Sequence, residues 1–98
     1  MFNNGKKKVI LTGYELKILV VALNDFRNEL INEGRYTDTI DELFIKLKNK
    51  IKIDKYESGA IIRSLLKKRE SMITEQEDTT DIDKFLLKVD EVDKQLHK

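Results

Sequence analysis

Five carboxylates, Glu75, Glu77, Asp78, Asp81 and Asp83, crowd into nine residues, and clustered oxygen ligands are what a calcium or magnesium ion requires. Their spacing argues against such a site. A calcium-loop frame opened at Asp78 needs glycine where Asp83 stands and a bidentate glutamate where Val89 stands. No Glu-x-x-His pair supplies the inward-facing ligands of a bundle metal centre. The cluster reads instead as a solvated loop whose carboxylates lie near the positive end of the helix that follows.

Nucleophilic and acid–base catalysis need a base within hydrogen-bond reach of the reacting group, and histidine is the usual base. The only histidine is His97, second from the end of the sequence, where a frayed and solvated position is expected. Ser58, Ser64 and Ser71 fall at polar helical positions, and none occupies a glycine-flanked elbow. Gly5, Gly13, Gly34 and Gly59 are isolated, so no phosphate-cradling loop exists. Zero cysteines exclude thiolate chemistry and a disulfide framework, and fit a reducing compartment, which makes the cytoplasm the expected location. A non-enzymatic protein without cofactor or metal is the expectation.

Basic residues offer the other chemistry. Residues 46–69 hold nine Lys or Arg against two acidic residues, whereas residues 70–98 hold four against nine. Lys46, Lys48, Lys50, Lys52, Lys55, Arg63 and Lys67 are candidate phosphate contacts of a nucleic-acid-associated regulator. Against that reading, the segment has few arginines and one aromatic, Tyr56, to add base readout or stacking. Compensation of the basic middle by the acidic end of the chain, with Lys67, Lys68 and Arg69 as the pairing residues, is the simpler expectation.

The elements that position these residues follow from a repeat. Residues 14–47 align without a gap on residues 56–89 at an offset of 42, with ten of thirty-four positions identical. Each copy reads as a long helix, a turn and a shorter helix, so the expected fold is all-α: a four-helix bundle of two repeated hairpins, residues 11–50 and 53–96. Within the 98 residues, 40% hydrophobic and 38% charged, with no proline, one core in a single domain is expected. Helices are predicted near 13–33, 38–50, 55–75 and 80–96. Thr12 with Glu15, and Asp54 with Glu57, predict capped starts for the long helices, and Asp38 and Thr80 are the expected caps of the short ones.

Gly34 ends the first long helix, while Gln76 at the equivalent place predicts a looser loop over 74–79. Ile40, Leu43, Phe44 and Leu47 form one apolar face, and Ile82, Phe85, Leu86 and Val89 its counterpart. Arg27 and Arg69 are expected to bridge to Asp41 and Asp83. Residues 1–10 read as a flexible arm. The alternating residues 48–55 are expected to cover the open end of the bundle with Ile51 and Ile53 rather than pair as a strand with Val9, Ile10 and Leu11.

Residues without a counterpart of like chemistry in the other copy point to a partner-specific surface: Asn24, Asp25, Asn28, Arg35 and Tyr36. The leading expectation is therefore a protein-interaction module, with a small helical immunity-type protein as a further alternative. Fifteen lysines against four arginines, with abundant Ile and Asn, associate the coding sequence with AT-rich bacterial, prophage or other mobile-element genomes. A homodimer through Ile18, Val21, Ala22 and Ile62 is a compatible assembly. The longest apolar run, residues 18–23, is far short of the roughly 20 residues needed to span a bilayer.

Overall fold

The computed structural model describes residues 5–97 and runs β1 (Lys7–Ile10), α1 (Gly13–Asn32), α2 (Asp38–Lys46), β2 (Lys50–Ile53), α3 (Lys55–Thr74) and α4 (Thr80–Leu96). It is mostly helical, at 71%, with four helices. Thr12 and Asp54 start the long helices by the same reciprocal bonds. The Glu15 amide donates to Thr12 Oγ1 at 3.1 Å while the Thr12 amide donates to Glu15 Oε1 at 2.9 Å, and Asp54 and Glu57 make the matching pair at 2.8 and 2.9 Å.

Residues 7–10 are not a flexible arm, and residues 50–53 are not an irregular cover. They pair as an antiparallel ribbon in the register Lys7↔Ile53, Lys8↔Lys52, Val9↔Ile51 and Ile10↔Lys50. The ladder continues as the Leu11 amide donates to the Asn49 carbonyl at 2.6 Å and Asn49 Nδ2 donates back to the Leu11 carbonyl at 3.2 Å. Alternation explains the choice of strand over helix. A period of two places Val9, Leu11, Ile51 and Ile53 on one buried face, whereas a helix over the same residues would spread them around its circumference. The same competition shortens α2, which stops at Lys46 rather than near residue 50, with Leu47 already extended. The arm's first residues, 1–4, lie outside the described residues.

One core joins all six elements. Leu19, Leu23, Phe26 and Leu30 of α1 and Ile61, Leu65 and Met72 of α3 meet Ile40 and Leu43 of α2 and Ile82, Phe85 and Val89 of α4, with the inner ribbon face closing one end. A ribbon of two short strands is marginal alone, and its packing against helices is what sustains it.

Two local expectations need correction. The caps of the short helices are Thr37 and Thr79, one residue earlier than Asp38 and Thr80, and neither makes a side-chain cap bond. Their hydroxyls donate instead to Asp41 and Asp83, at 2.8 and 3.0 Å. Nor is the turn after α3 looser. Gln76 takes φ +61°, close to the +70° of Gly34, and the bonds Gln76 to Ile73 and Glu77 to Met72 reproduce, at 3.0 and 2.8 Å, those of Gly34 to Ile31 and Arg35 to Leu30. The left-handed conformation costs a side-chain-bearing residue about 1 kcal/mol, which the shared turn geometry offsets.

Ion pairs recur at the offset of 42. Arg27 Nε donates to Asp41 at 2.7 Å and Arg69 Nε to Asp83 at 2.5 Å. The guanidinium bonds, helped by the threonine hydroxyls, hold both carboxyls below the usual aspartate range. A depressed folded value contributes stability that is complete above the unfolded value, about 3.9, and is lost as pH falls through the folded one. The double variant D41N/D83N is therefore expected to have a lower melting temperature at neutral pH and a flatter loss of stability below about pH 4. Thermal melts from neutral to acid pH measure both, and parallel curves for the two proteins would contradict the bridges.

Two further pairs tie the halves together. Glu57 Oε1, which accepts from the Asp54 amide, also receives Lys46 Nζ at 2.8 Å, and Glu15 Oε1 receives Lys88 Nζ at 2.7 Å. Glu57 is 6% exposed, so removing it leaves the Asp54 amide without its cap and the Lys46 ammonium with only the Lys52 carbonyl among the described residues. Glu57→Ala is expected to cost about 2–3 kcal/mol in urea denaturation, the sum of a lost cap and a broken, partly buried pair. A cost indistinguishable from zero would show that water replaces both bonds.

Candidate nucleic-acid interface

The ribbon that buries Val9, Ile51 and Ile53 must turn the alternate residues outward. Lys8, Ile10, Lys50 and Lys52 are all exposed, and the register sets Lys8 opposite Lys52 and Ile10 opposite Lys50. Like charges directly opposite destabilise a ladder, so the pairing of Lys8 with Lys52 is an arrangement the fold tolerates rather than gains from. Lys6, Lys46 and Lys48 join Lys8, Lys50 and Lys52 around a depression of about 520 Å³ along the ribbon. Lys46 is partly committed, to Glu57 and to the Lys52 carbonyl at 2.6 Å. The side chains of Lys8, Lys48, Lys50 and Lys52 make no hydrogen bond or ion pair among the described residues.

The seven basic residues singled out in the sequence therefore separate into three places. Lys46, Lys48, Lys50 and Lys52 gather at the ribbon. Lys55 and Arg63 line a different, larger groove with Arg35 and Tyr36. Lys67 belongs to neither, because its ammonium lies 2.7 Å from Glu29 and 6.0 Å from the centre of the Phe26 ring. That bond to Glu29 raises the Lys67 pKa, and it replaces the expected pairing of Lys67 with the acidic end of the chain. Arg69 does pair there, with Asp83.

The five residues of the expected partner surface fall on two stretches, α1 and the turn that follows it. Asn24, Asp25 and Asn28 are exposed on α1, where Asp25 borders a small depression of about 170 Å³ between α1 and α3, while Arg35 and Tyr36 lie in the turn after α1. The face suggested for a homodimer is mostly occupied within the chain. Ala22 is buried, Ile18 and Ile62 pack against the core, and only Val21 is exposed.

Among the serines and the histidine, Ser58 and Ser64 hold the fold, while Ser71 and His97 are exposed. Ser58 and Ser64 are buried rather than at polar positions. Ser64 Oγ donates to the Ile61 carbonyl, and Ser58 Oγ bonds the Lys55 carbonyl and Asp93. His97 Nε2 lies 3.3 Å from the same Asp93 oxygen. The carboxylate stands between serine and imidazole, the reverse of the order in which histidine takes a serine proton. In the acidic loop, Asp78 accepts from the Thr80 amide and hydroxyl, which lowers its pKa, and Asp83 serves Arg69. No three His, Cys, Asp or Glu residues converge to hold a metal among the described residues. No helix among them is long and apolar enough to cross a membrane.

Lys8 and Ile10, absent from the site residues the sequence suggests, lie upstream of the alignment that begins at Tyr14. Carried back five positions, the same offset sets Val9 on Ile51 and Leu11 on Ile53, an apolar alternation shared by both copies. No protein-family model, curated protein or solved structure matches the chain.

Proposed function

We propose that this chain is a non-enzymatic, cytoplasmic nucleic-acid-binding regulator that lays the outer face of its β-ribbon into the major groove of a duplex. The observation that carries the reading is the juxtaposition of Lys8, Lys50 and Lys52 on one exposed ribbon face beside Lys48. A two-stranded ribbon, with strands about 4.8 Å apart, fits a major groove about 12 Å wide. Lysines on such a face neutralise phosphates or reach guanine O6 and N7, and Ile10, 60% exposed among them, has the apolar chemistry that meets a thymine methyl.

The repeat belongs to the same proposal. Val9 pairs with Ile51, its counterpart 42 positions on, and an antiparallel ladder centred on counterparts is what a twofold relation between two strand–helix–helix units requires. In this reading one unit is used twice, and the two copies share a ribbon that neither could form alone. Anisotropy of a labelled duplex provides the test. Binding should weaken with log salt at a slope of about −3.6 if the four lysines each neutralise one phosphate, at about 0.9 per contact.

A second reading, the protein-interaction module, retains one observation. Ile45 and Leu87, counterparts on the short helices, are 83% and 70% exposed, and Leu87 borders a depression with Ile62, Leu66 and Leu86, so the two places offer apolar anchors to a partner. Recovery of the same protein from lysate after nuclease and high-salt treatment would favour it over the ribbon.

A further inference from the structure

A groove of about 740 Å³ lies between the turn after α1, the first turns of α3 and the end of α4, away from the ribbon's outer face. Its size is within the range of small-molecule sites. Arg35, Tyr36, Lys55, Tyr56 and Arg63 border it, all five exposed. Tyr36 is 92% exposed, an unusual position for an aromatic ring without a partner to cover it. The Arg63 side chain forms no hydrogen bond or ion pair among the described residues. The Arg35 guanidinium makes an exposed contact of 3.3 Å to Glu33, and the Lys55 ammonium sits 5.5 Å from the centre of the Tyr56 ring.

Comparison of the two halves shows that this chemistry is particular to one of them. At the offset of 42, Arg35 corresponds to Glu77, Tyr36 to Asp78, Lys55 to Gly13 and Arg63 to Val21, while only Tyr56 keeps its tyrosine, Tyr14. The equivalent place is acidic. Burial, with Asp81, Asp78 and Glu77 nearby, raises the Tyr14 pKa. A surface needed only for folding would have no reason to carry three cations and a second tyrosine in one half and two carboxylates in the other. Two carboxylates also line the cationic groove, Asp38 and Asp93, and Asp93 is already engaged by Ser58 and faces His97.

Cations beside exposed aromatic rings are the combination that recognises a base and its phosphates together, the ring by stacking and the phosphate by a bidentate guanidinium. We propose that this groove binds a nucleotide, with its base stacked on Tyr36 or Tyr56 and its phosphates held by Arg63 and Arg35. The nucleotide is either free or an unpaired residue of a nucleic-acid strand, since both present the same chemistry.

The test uses the full chain carrying K8Q/K50Q/K52Q, so that ribbon binding does not contribute and failure of the duplex reading leaves this one standing. Anisotropy of methylanthraniloyl-ATP and of a labelled oligothymidylate is followed on titration. Saturable binding at about 100 μM or tighter to either probe is expected. Y36A and R63Q, both at exposed positions, should each weaken it about tenfold without altering circular dichroism, and K67Q should leave it unchanged. Binding to the mononucleotide identifies a free ligand, and binding to the oligonucleotide alone identifies a strand; both support the groove. Displacement by inorganic triphosphate as effective as by ATP would reduce it to an anion contact and overturn the assignment, as would the absence of binding to both probes or binding indifferent to Y36A and R63Q.

Discussion

Replacing Lys8, Lys50 and Lys52 together by glutamine should weaken duplex binding by roughly two to three orders of magnitude at about 0.1 M salt. The magnitude comes from counterion release. Each neutralised phosphate contributes about 0.9 to the slope of log affinity against log salt, so three lost contacts flatten that slope by about 2.7. All three side chains are exposed and point away from the core, so the fold should not change. Surface substitutions of that kind usually alter stability by no more than about 0.5 kcal/mol. K67Q serves as the control, because Lys67 is paired with Glu29 away from the ribbon. A triple variant that binds within threefold of the parent, or loses affinity without flattening its salt dependence, would contradict the ribbon reading.

The largest stability effect is expected from Phe85→Ala. Phe85 is fully buried on α4 within the single core. Truncating a buried phenylalanine removes its transfer free energy and leaves a cavity, at a cost of about 3–5 kcal/mol. A domain of this size is stable by about 5–15 kcal/mol in all, so the variant should melt at least about 12 °C lower and could be unfolded at 37 °C. Ile45→Ala, on α2 and 83% exposed, should change stability by less than about 0.5 kcal/mol. Urea denaturation of the pair measures the contrast. Equal midpoints would mean that the core is not closed around Phe85.

What the sequence revealed was mostly local. The capping boxes at Thr12 and Asp54 and the apolar faces of α2 and α4 depend on residues within one or two turns; the boxes stand as the spacing predicts, and Ile40, Leu43, Ile82, Phe85 and Val89 enter the core with Phe44, Leu47 and Leu86 packed against it. The bridges Arg27 to Asp41 and Arg69 to Asp83 reach across a turn, and they were legible because both appear at the same separation in each copy. The ribbon was not legible in the same way. Four-residue strands carry too little periodicity to outweigh a helical neighbour, and β1 finds its partner 40 to 46 positions away. The lysine-rich segment was visible as a charge run, but only pairing with β1 turns alternate members outward and brings Lys8 and Ile10 beside them.

The cross-links Lys46 to Glu57 and Lys88 to Glu15 were also out of reach, since the glutamates had already been assigned to caps. One carboxylate oxygen serves both roles. The left-handed Gln76 shows the converse, a turn closed by the same local backbone bonds as its counterpart where the residue type predicted its loss. The separation of Arg35, Lys55 and Arg63 from the ribbon lysines is a further tertiary outcome: Lys55 is only three residues after Lys52, yet it faces a different groove.

The most direct test of the central claim is a nitrogen-15 amide spectrum of the labelled chain titrated with a mixed-sequence DNA duplex of about 20 base pairs, two helical turns. Ribbon binding requires the largest shift changes at Lys8, Ile10, Lys50 and Lys52, saturating at low salt and reversing as salt is raised. A spectrum unchanged by excess duplex at low salt, or changes confined to α1 and the short helices while the ribbon amides stay fixed, would contradict it.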